Sequence, residues 1–76
     1  MNTLDNLQPG EKAAITGLRA TEALHHRLTA MGFRIGKQVQ LIRRGAFHGP
    51  LHVRIGQTDI IIRRRDAAFV KLARQT

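Results

Sequence analysis

The chain has 76 residues, enough for one domain around one small core, and it contains no cysteine, so neither disulfides nor a cysteine-held zinc can stabilise it. Thirteen Lys and Arg stand against five Asp and Glu, a formal charge of +8 that favours anionic partners: nucleic acid, an acidic protein face or the inner leaflet of a membrane. No apolar run approaches the ~20 residues of a membrane span, and "MNTLDNLQPG" has neither the basic start nor the apolar stretch of a secretory signal, so the expected location is the cytoplasm, with the inner membrane face as the place of recruitment.

In chain order, Pro9-Gly10 suits the centre of a type II turn, where Pro presets φ and Gly supplies a positive one. Ala13 and Ile15 then alternate with polar or small neighbours as in a half-buried strand that Gly17 ends. "TEALHHRLTAMG" predicts a helix: Thr21 can cap it, Glu22 lies in the first turn where negative charge is favoured, and Leu24, Leu28 and Met31 form one apolar stripe. Gly32 falls where the helix should stop in a left-handed residue, with Phe33 folding back onto Leu28. Gly36 opens a strand over Val39–Ile42, and Gly45–Pro50 form a turn or short loop.

Gly56-Gln57 fits a two-residue hairpin with Gly first. That register sets Ile55 opposite Thr58, Arg54 opposite Asp59, Val53 opposite Ile60, His52 opposite Ile61 and Leu51 opposite Ile62. Leu51, Val53, Ile55, Ile60 and Ile62 then share a buried face, while Arg54 meets Asp59 across the strands; a slip of one residue loses both features. Asp66 is expected to cap a single turn over Ala67–Phe69, with Phe69 in the core. Val70 and Leu72 point inward from a closing strand, and Gln75–Thr76 are expected to be loose. The sum is mainly β: a small SH3-like barrel of about five strands, with one α-helix inserted after the first, in a single domain over residues 1–76. An open sheet with the helix on one face is the second architecture.

The order Leu28-x3-Gly32-Phe33-x2-Gly36, Val39-x-Leu41, Gly49-Pro50-Leu51-His52-Val53 and Ile62-Arg63-x2-Asp66-Ala67 resembles the FeoA family of small cytosolic proteins of bacterial ferrous-iron uptake. The likeness runs from about Leu7 to Leu72. It implies an SH3-like barrel with a helical insertion and a partner, the FeoB-type membrane iron transporter with its cytosolic GTPase-like domain, whose activity the small protein would support or regulate. The same domain type also ends iron-dependent repressors as an interaction module, so fold alone does not fix function.

Enzyme chemistry is not expected. Cys and Ser are both absent, and Asp5, Glu11, Glu22, Asp59 and Asp66 are scattered along the chain. No cofactor is required. Glu22 and His26, at i and i+4 on the exposed helix face, could place two ligands on a divalent cation, and a homodimer would have to complete the site; surface histidine is the plainer reading. His48 and His52 flank the Gly-Pro turn. Strand alternation should keep Arg63, Arg64 and Arg65 from forming one flat patch. Arg63 would pack its stem across the barrel end near Pro50, and Arg64 and Arg65 would join Arg43, Arg44 and Arg54 in a basic rim facing an acidic protein or anionic lipid. The expected partner-binding residues are Leu24, His25, Phe47, His52, Ile61, Arg63 and Arg64. Ile35, Phe47 and Ile61 would make an apolar patch if uncovered, but a core this small is expected to draw them under the helix. The alternative function, a basic barrel holding nucleic acid non-specifically, has the charge but lacks stacking platforms: there is no Trp or Tyr, and Phe33 and Phe69 have core positions, so no specific nucleic acid is expected.

Overall fold

Seven elements follow one another in the computed structural model, which describes residues 2–73: β1 (Lys12–Leu18), α1 (Glu22–Ala30), β2 (Gln38–Arg44), β3 (Leu51–Ile55), β4 (Thr58–Ile62), α2 (Arg64–Ala67) and β5 (Val70–Leu72), after a short 3₁₀ turn at Leu4–Asn6. The strands form one antiparallel sheet in the order β4-β3-β2-β1-β5. This is the SH3-like architecture, with α1 inserted after the first strand. The expectation for Gln75–Thr76 lies outside the described residues.

The β3–β4 hairpin has the expected register at all five pairs, from Leu51↔Ile62 to Ile55↔Thr58. Gly56 takes φ 62° at the first turn position, as a two-residue hairpin with Gly first requires. Leu51, Val53, Ile55 and Ile62 are buried, and Ile60 packs against them half-exposed. Bulges in β1 between Ile15 and Gly17, and in β2 between Leu41 and Arg43, bend the sheet around this apolar face. The gap between the edge strands β4 and β5 is bridged by α2, whose Ala67 is fully buried against the 3₁₀ turn.

The helix behaves as its sequence dictates. The Thr21 hydroxyl accepts from the Leu24 N–H at 3.3 Å. At the other end Gly32, at φ 108°, lets the Phe33 N–H donate to Leu28 O (3.0 Å) and the Gly32 N–H to Thr29 O (3.0 Å). This paired closure folds Phe33 back beside Leu28, and both are buried. Leu24 and Met31 are half-buried at the edge of the core.

Three features differ from expectation. β2 runs from Gln38 to Arg44 rather than Val39–Ile42, because Arg43 and Arg44 resume pairing with His52 and Leu51 after the bulge at Ile42. Asp66 does not cap a turn over Ala67–Phe69; the helix begins at Arg64, after an extended Arg63 with no side-chain cap. Ala67 therefore takes the buried place, and Phe69 is 41% exposed instead of filling the core. The helix also leaves Ile35, Phe47 and Ile61 uncovered, at 71%, 99% and 64% exposure.

The N-terminal segment is a working part of the core. Leu4 and Leu7 are buried, Thr3 bridges Lys71, and the Leu72 N–H donates to Asn2 O at 2.7 Å. Arg44 fastens this segment. Its guanidinium donates to Asp5 O at 2.9 Å and to Leu7 O, so it is a structural tether rather than part of a free basic rim. Charged donors to backbone carbonyls are worth roughly 1.5–3 kcal/mol each when a partner is left unsatisfied. Arg44→Met keeps most of the stem and should destabilise the fold by about 2 kcal/mol in urea unfolding; an unchanged midpoint and slope would show that the tether carries no stability.

Candidate functional site

The β2–β3 connection is a built turn rather than a slack loop. Gly45 N–H donates to Pro50 O (2.8 Å), and Gly49 N–H donates to Ala46 O (3.0 Å). Between them Phe47 and His48 both take left-handed backbone, at φ 56° and 61°. Two successive non-glycine residues in this region, one of them aromatic, are sterically disfavoured. The flanking glycines allow the close crossing: a Cβ on Gly45 would lie 2.8 Å from Pro50 O, and one on Gly49 would lie 2.9 Å from Ala46 O. The turn thus holds Phe47 out at its tip, 99% exposed.

Three hollows surround this turn and the adjoining sheet edge. One, an open groove of about 700 Å³, is lined by Asp5, His48, Gly49, Pro50, Arg63, Arg64, Arg65 and Ala68. A second, on the other side of the turn, is lined by Arg43, Arg44, Gly45, Ala46, Pro50, His52 and Ile61. A third joins Ile61, Ile62, Arg63 and Asp66 to Arg27 and Met31 at the end of α1. Pro50, Ile61 and Arg63 are each shared by two hollows, so the three form one continuous face. Alternation was expected to keep Arg63, Arg64 and Arg65 apart; all three line the first groove, because the chain passes from strand to helix at Arg63 and the period changes from 2 to 3.6. Among the described residues Arg43, Arg63, Arg64 and Arg65 form no ion pair, whereas Arg27 bridges Asp66 at 3.3 Å.

On the outer face of the hairpin, Asp59 receives Arg54 Nε at 2.6 Å and Arg54 Nη2 at 3.1 Å, while His52 Nε2 lies 2.9 Å from its second oxygen. These hydrogen bonds, Arg54's first and His52's second, hold the Asp59 carboxyl down at about 2. Three other acids are also engaged. Asp5 accepts from the Thr3 hydroxyl, Glu11 accepts from the Gln8 N–H at 2.6 Å, and Asp66 pairs with Arg27.

Of the expected partner-binding residues, His52, Ile61, Arg63 and Arg64 line this face, whereas Phe47 lines none of the hollows and stands clear of them at the tip of the turn. Leu24 packs on the core edge and His25 is exposed on α1, and neither lines the three hollows. Glu22 and His26 are exposed on the same helix. Among the described residues no group of three or more His, Cys, Asp or Glu is placed to hold a metal ion, so Glu22 and His26 would need ligands from a second copy. Sequence reasoning missed the convergence of the arginines and the Arg27–Asp66 contact between α1 and α2, because both depend on where a four-residue helix starts.

The fold, with this basic-flanked face at one end of its sheet, defines a small SH3-like domain. The FeoA-domain family model matches residues 2–74, and the chain belongs to the FeoA family, that of ferrous iron transport protein A. It is 30% identical to iron(II) transport protein A of Clostridium thermocellum, with a TM-score of 0.88 over 92% of this chain and 43% of that one; it therefore spans less than half of that protein's length. FeoA of Stenotrophomonas maltophilia, solved with zinc and described as a prokaryotic SH3-domain protein, is 27% identical, with a TM-score of 0.83 over 96% of this chain and 91% of that one. A manganese-dependent transcriptional repressor shares the fold at 14% identity, with a TM-score of 0.85 over 93% of this chain and 40% of the repressor. Among curated proteins none matches the sequence. Among the described residues no helix is long and apolar enough to cross a membrane.

The Asp59 clamp can be read directly. Its folded value lies below the ordinary 3.8, so its stabilising share is present above about pH 4 and is lost as pH falls through about 2. Carboxyl NMR should find Asp59 titrating near 2, and Arg54→Gln should return it toward 3.8. A wild-type titration at the ordinary value would dismiss the clamp.

Proposed function

We propose that this protein is a non-enzymatic accessory factor of bacterial ferrous-iron uptake that docks on the cytosolic part of a FeoB-type transporter, at the inner membrane face, and supports or regulates its GTPase-linked transport. Family membership supports the pathway, and the S. maltophilia relative is itself described as a candidate activating factor for ferrous iron transport. The engagement of Asp5, Glu11, Asp59 and Asp66 in turns and ion pairs supports a role without catalysis.

The observation that carries the docking reading is Ile61. It is 64% exposed on an edge strand, shared between two hollows, with Arg63 on one side and His52 across the strand pair. A branched apolar side chain in a partly polar rim is the pattern of an interface anchor. The acidic counterpart would come from the transporter, matched to Arg43, Arg63, Arg64 and Arg65, which form no ion pair among the described residues and set approach and orientation. Leu24 and His25 stand outside this docking surface.

Ile61→Asp should weaken binding to the transporter's isolated cytosolic domain by about 2 kcal/mol, roughly thirtyfold, in calorimetric titration, with the circular dichroism of the fold retained. Wild-type affinity in that variant would remove Ile61, and the face around it, from the interface.

A further inference from the structure

We propose that the Phe47 turn is a membrane-contact device: Phe47 enters the headgroup boundary of an anionic bilayer while Arg43 and Arg63–Arg65 meet the lipid phosphates around it. The idea goes beyond the transporter docking reading and does not need it. Phe47 contributes nothing to the core at 99% exposure, yet it is held in a left-handed conformation that an aromatic residue disfavours. The Gly45–Pro50 and Ala46–Gly49 hydrogen bonds keep it there. A displayed side chain that folding does not need points to a contact made outside the molecule.

The surroundings of the tip identify that contact. Its neighbours within the turn are Gly45, Ala46, His48 and Gly49, which offer no apolar wall for a protein surface to lie against. Guanidinium groups that form no ion pair among the described residues stand on both sides, Arg43 in one hollow and Arg63, Arg64 and Arg65 in the groove opposite, where the one carboxylate, Asp5, accepts from the Thr3 hydroxyl and leaves the positive charge in excess. A convex apolar tip ringed by positive charge is complementary to a plane that is anionic outside and apolar a few ångströms within, which describes a bilayer carrying anionic lipid. An acidic protein would instead have to supply a deep apolar pit edged with carboxylates. One aromatic and a few arginines give weak, reversible binding that falls with added salt.

The chain has no Trp or Tyr, so Phe47→Trp provides a single indole reporter. Its emission should shift to the blue on vesicles of phosphatidylcholine mixed with phosphatidylglycerol, but not on phosphatidylcholine alone, and Ile35→Trp, before the other end of β2, should not shift. In co-sedimentation, Phe47→Ser should lower vesicle binding roughly tenfold, and each Arg→Ser change at Arg63 or Arg65 roughly fivefold. Phe47→Ser should leave binding to the transporter's soluble cytosolic domain intact, and the uncharged change Ile61→Asn should weaken that binding while leaving vesicle binding intact, so that this idea and the docking reading fail separately. Absence of binding to anionic vesicles at low salt would overturn the proposal. So would binding with the indole still in water, or loss of the soluble domain's binding in Phe47→Ser without any vesicle binding by the wild type.

Discussion

The two-residue turn at Gly56-Gln57 fixes the register of β3 against β4, and the molecule's inside and outside follow from that register. With side chains alternating across the sheet, this pairing buries Leu51, Val53, Ile55 and Ile62 and sends His52, Arg54, Asp59 and Ile61 outward. A slip of one residue would bury Asp59 and Ile61 and expose Ile62. The core and the proposed docking face are therefore opposite sides of one constraint. The Arg54–Asp59–His52 cluster reinforces it from the solvent side, where only the correct register brings those groups together.

The proposed docking face arises where the regular pairing ends. At the far end of β3 from Gly56, the chain crosses itself through Gly45 and Gly49 and lifts Phe47 clear of the sheet. On the neighbouring strand the backbone leaves β4 at Ile62 and turns into α2 within two residues, collecting Arg63, Arg64 and Arg65 beside that turn. Neither feature strengthens the core. Positive charge gathers in excess of the single carboxylate there, Asp5, with no ion pair to these arginines among the described residues, and an aromatic residue is left in water. Most acids of the chain are meanwhile used elsewhere to hold turns and strand pairs. Mutual repulsion of the arginines is tolerable because they stand in high-dielectric surroundings, and the apolar enclosure behind them supplies the stability.

Much of this was legible from residue patterns. The hairpin was readable to the individual pair because turn chemistry, alternation and an opposite-charge pair all specify the same register. The α1 boundaries were readable because Thr21 and Gly32 are strong end signals with a clear apolar stripe between them. The start of α2 was not, since Arg63–Arg65 carry no capping residue and a single turn has no periodicity to detect. The N-terminal contribution of Leu4 and Leu7 was hidden for the same reason, as two leucines in a short irregular segment show no period. Phe47 was nominated as a contact residue, but the left-handed backbone that lifts it to the tip could not be foreseen, because nothing local announces a left-handed Phe. At the site, His52, Ile61, Arg63 and Arg64 were nominated from sequence and share one face, whereas Phe47, at the tip of the turn, and Leu24 and His25, on α1, were nominated with them and stand outside its hollows.

The central claim is that one face of this FeoA-family domain, centred on Ile61 and Arg63, meets the transporter. Mapping amide chemical shifts of the isotope-labelled protein on addition of a FeoB-type transporter's cytosolic domain tests it most directly. The account predicts perturbations clustered at His52, Ile61 to Arg63 and the Arg27–Met31 end of α1. Perturbations centred instead on Glu22 to His26, or on Lys12, Lys37 and Gly56 at the opposite end of the sheet, would contradict it.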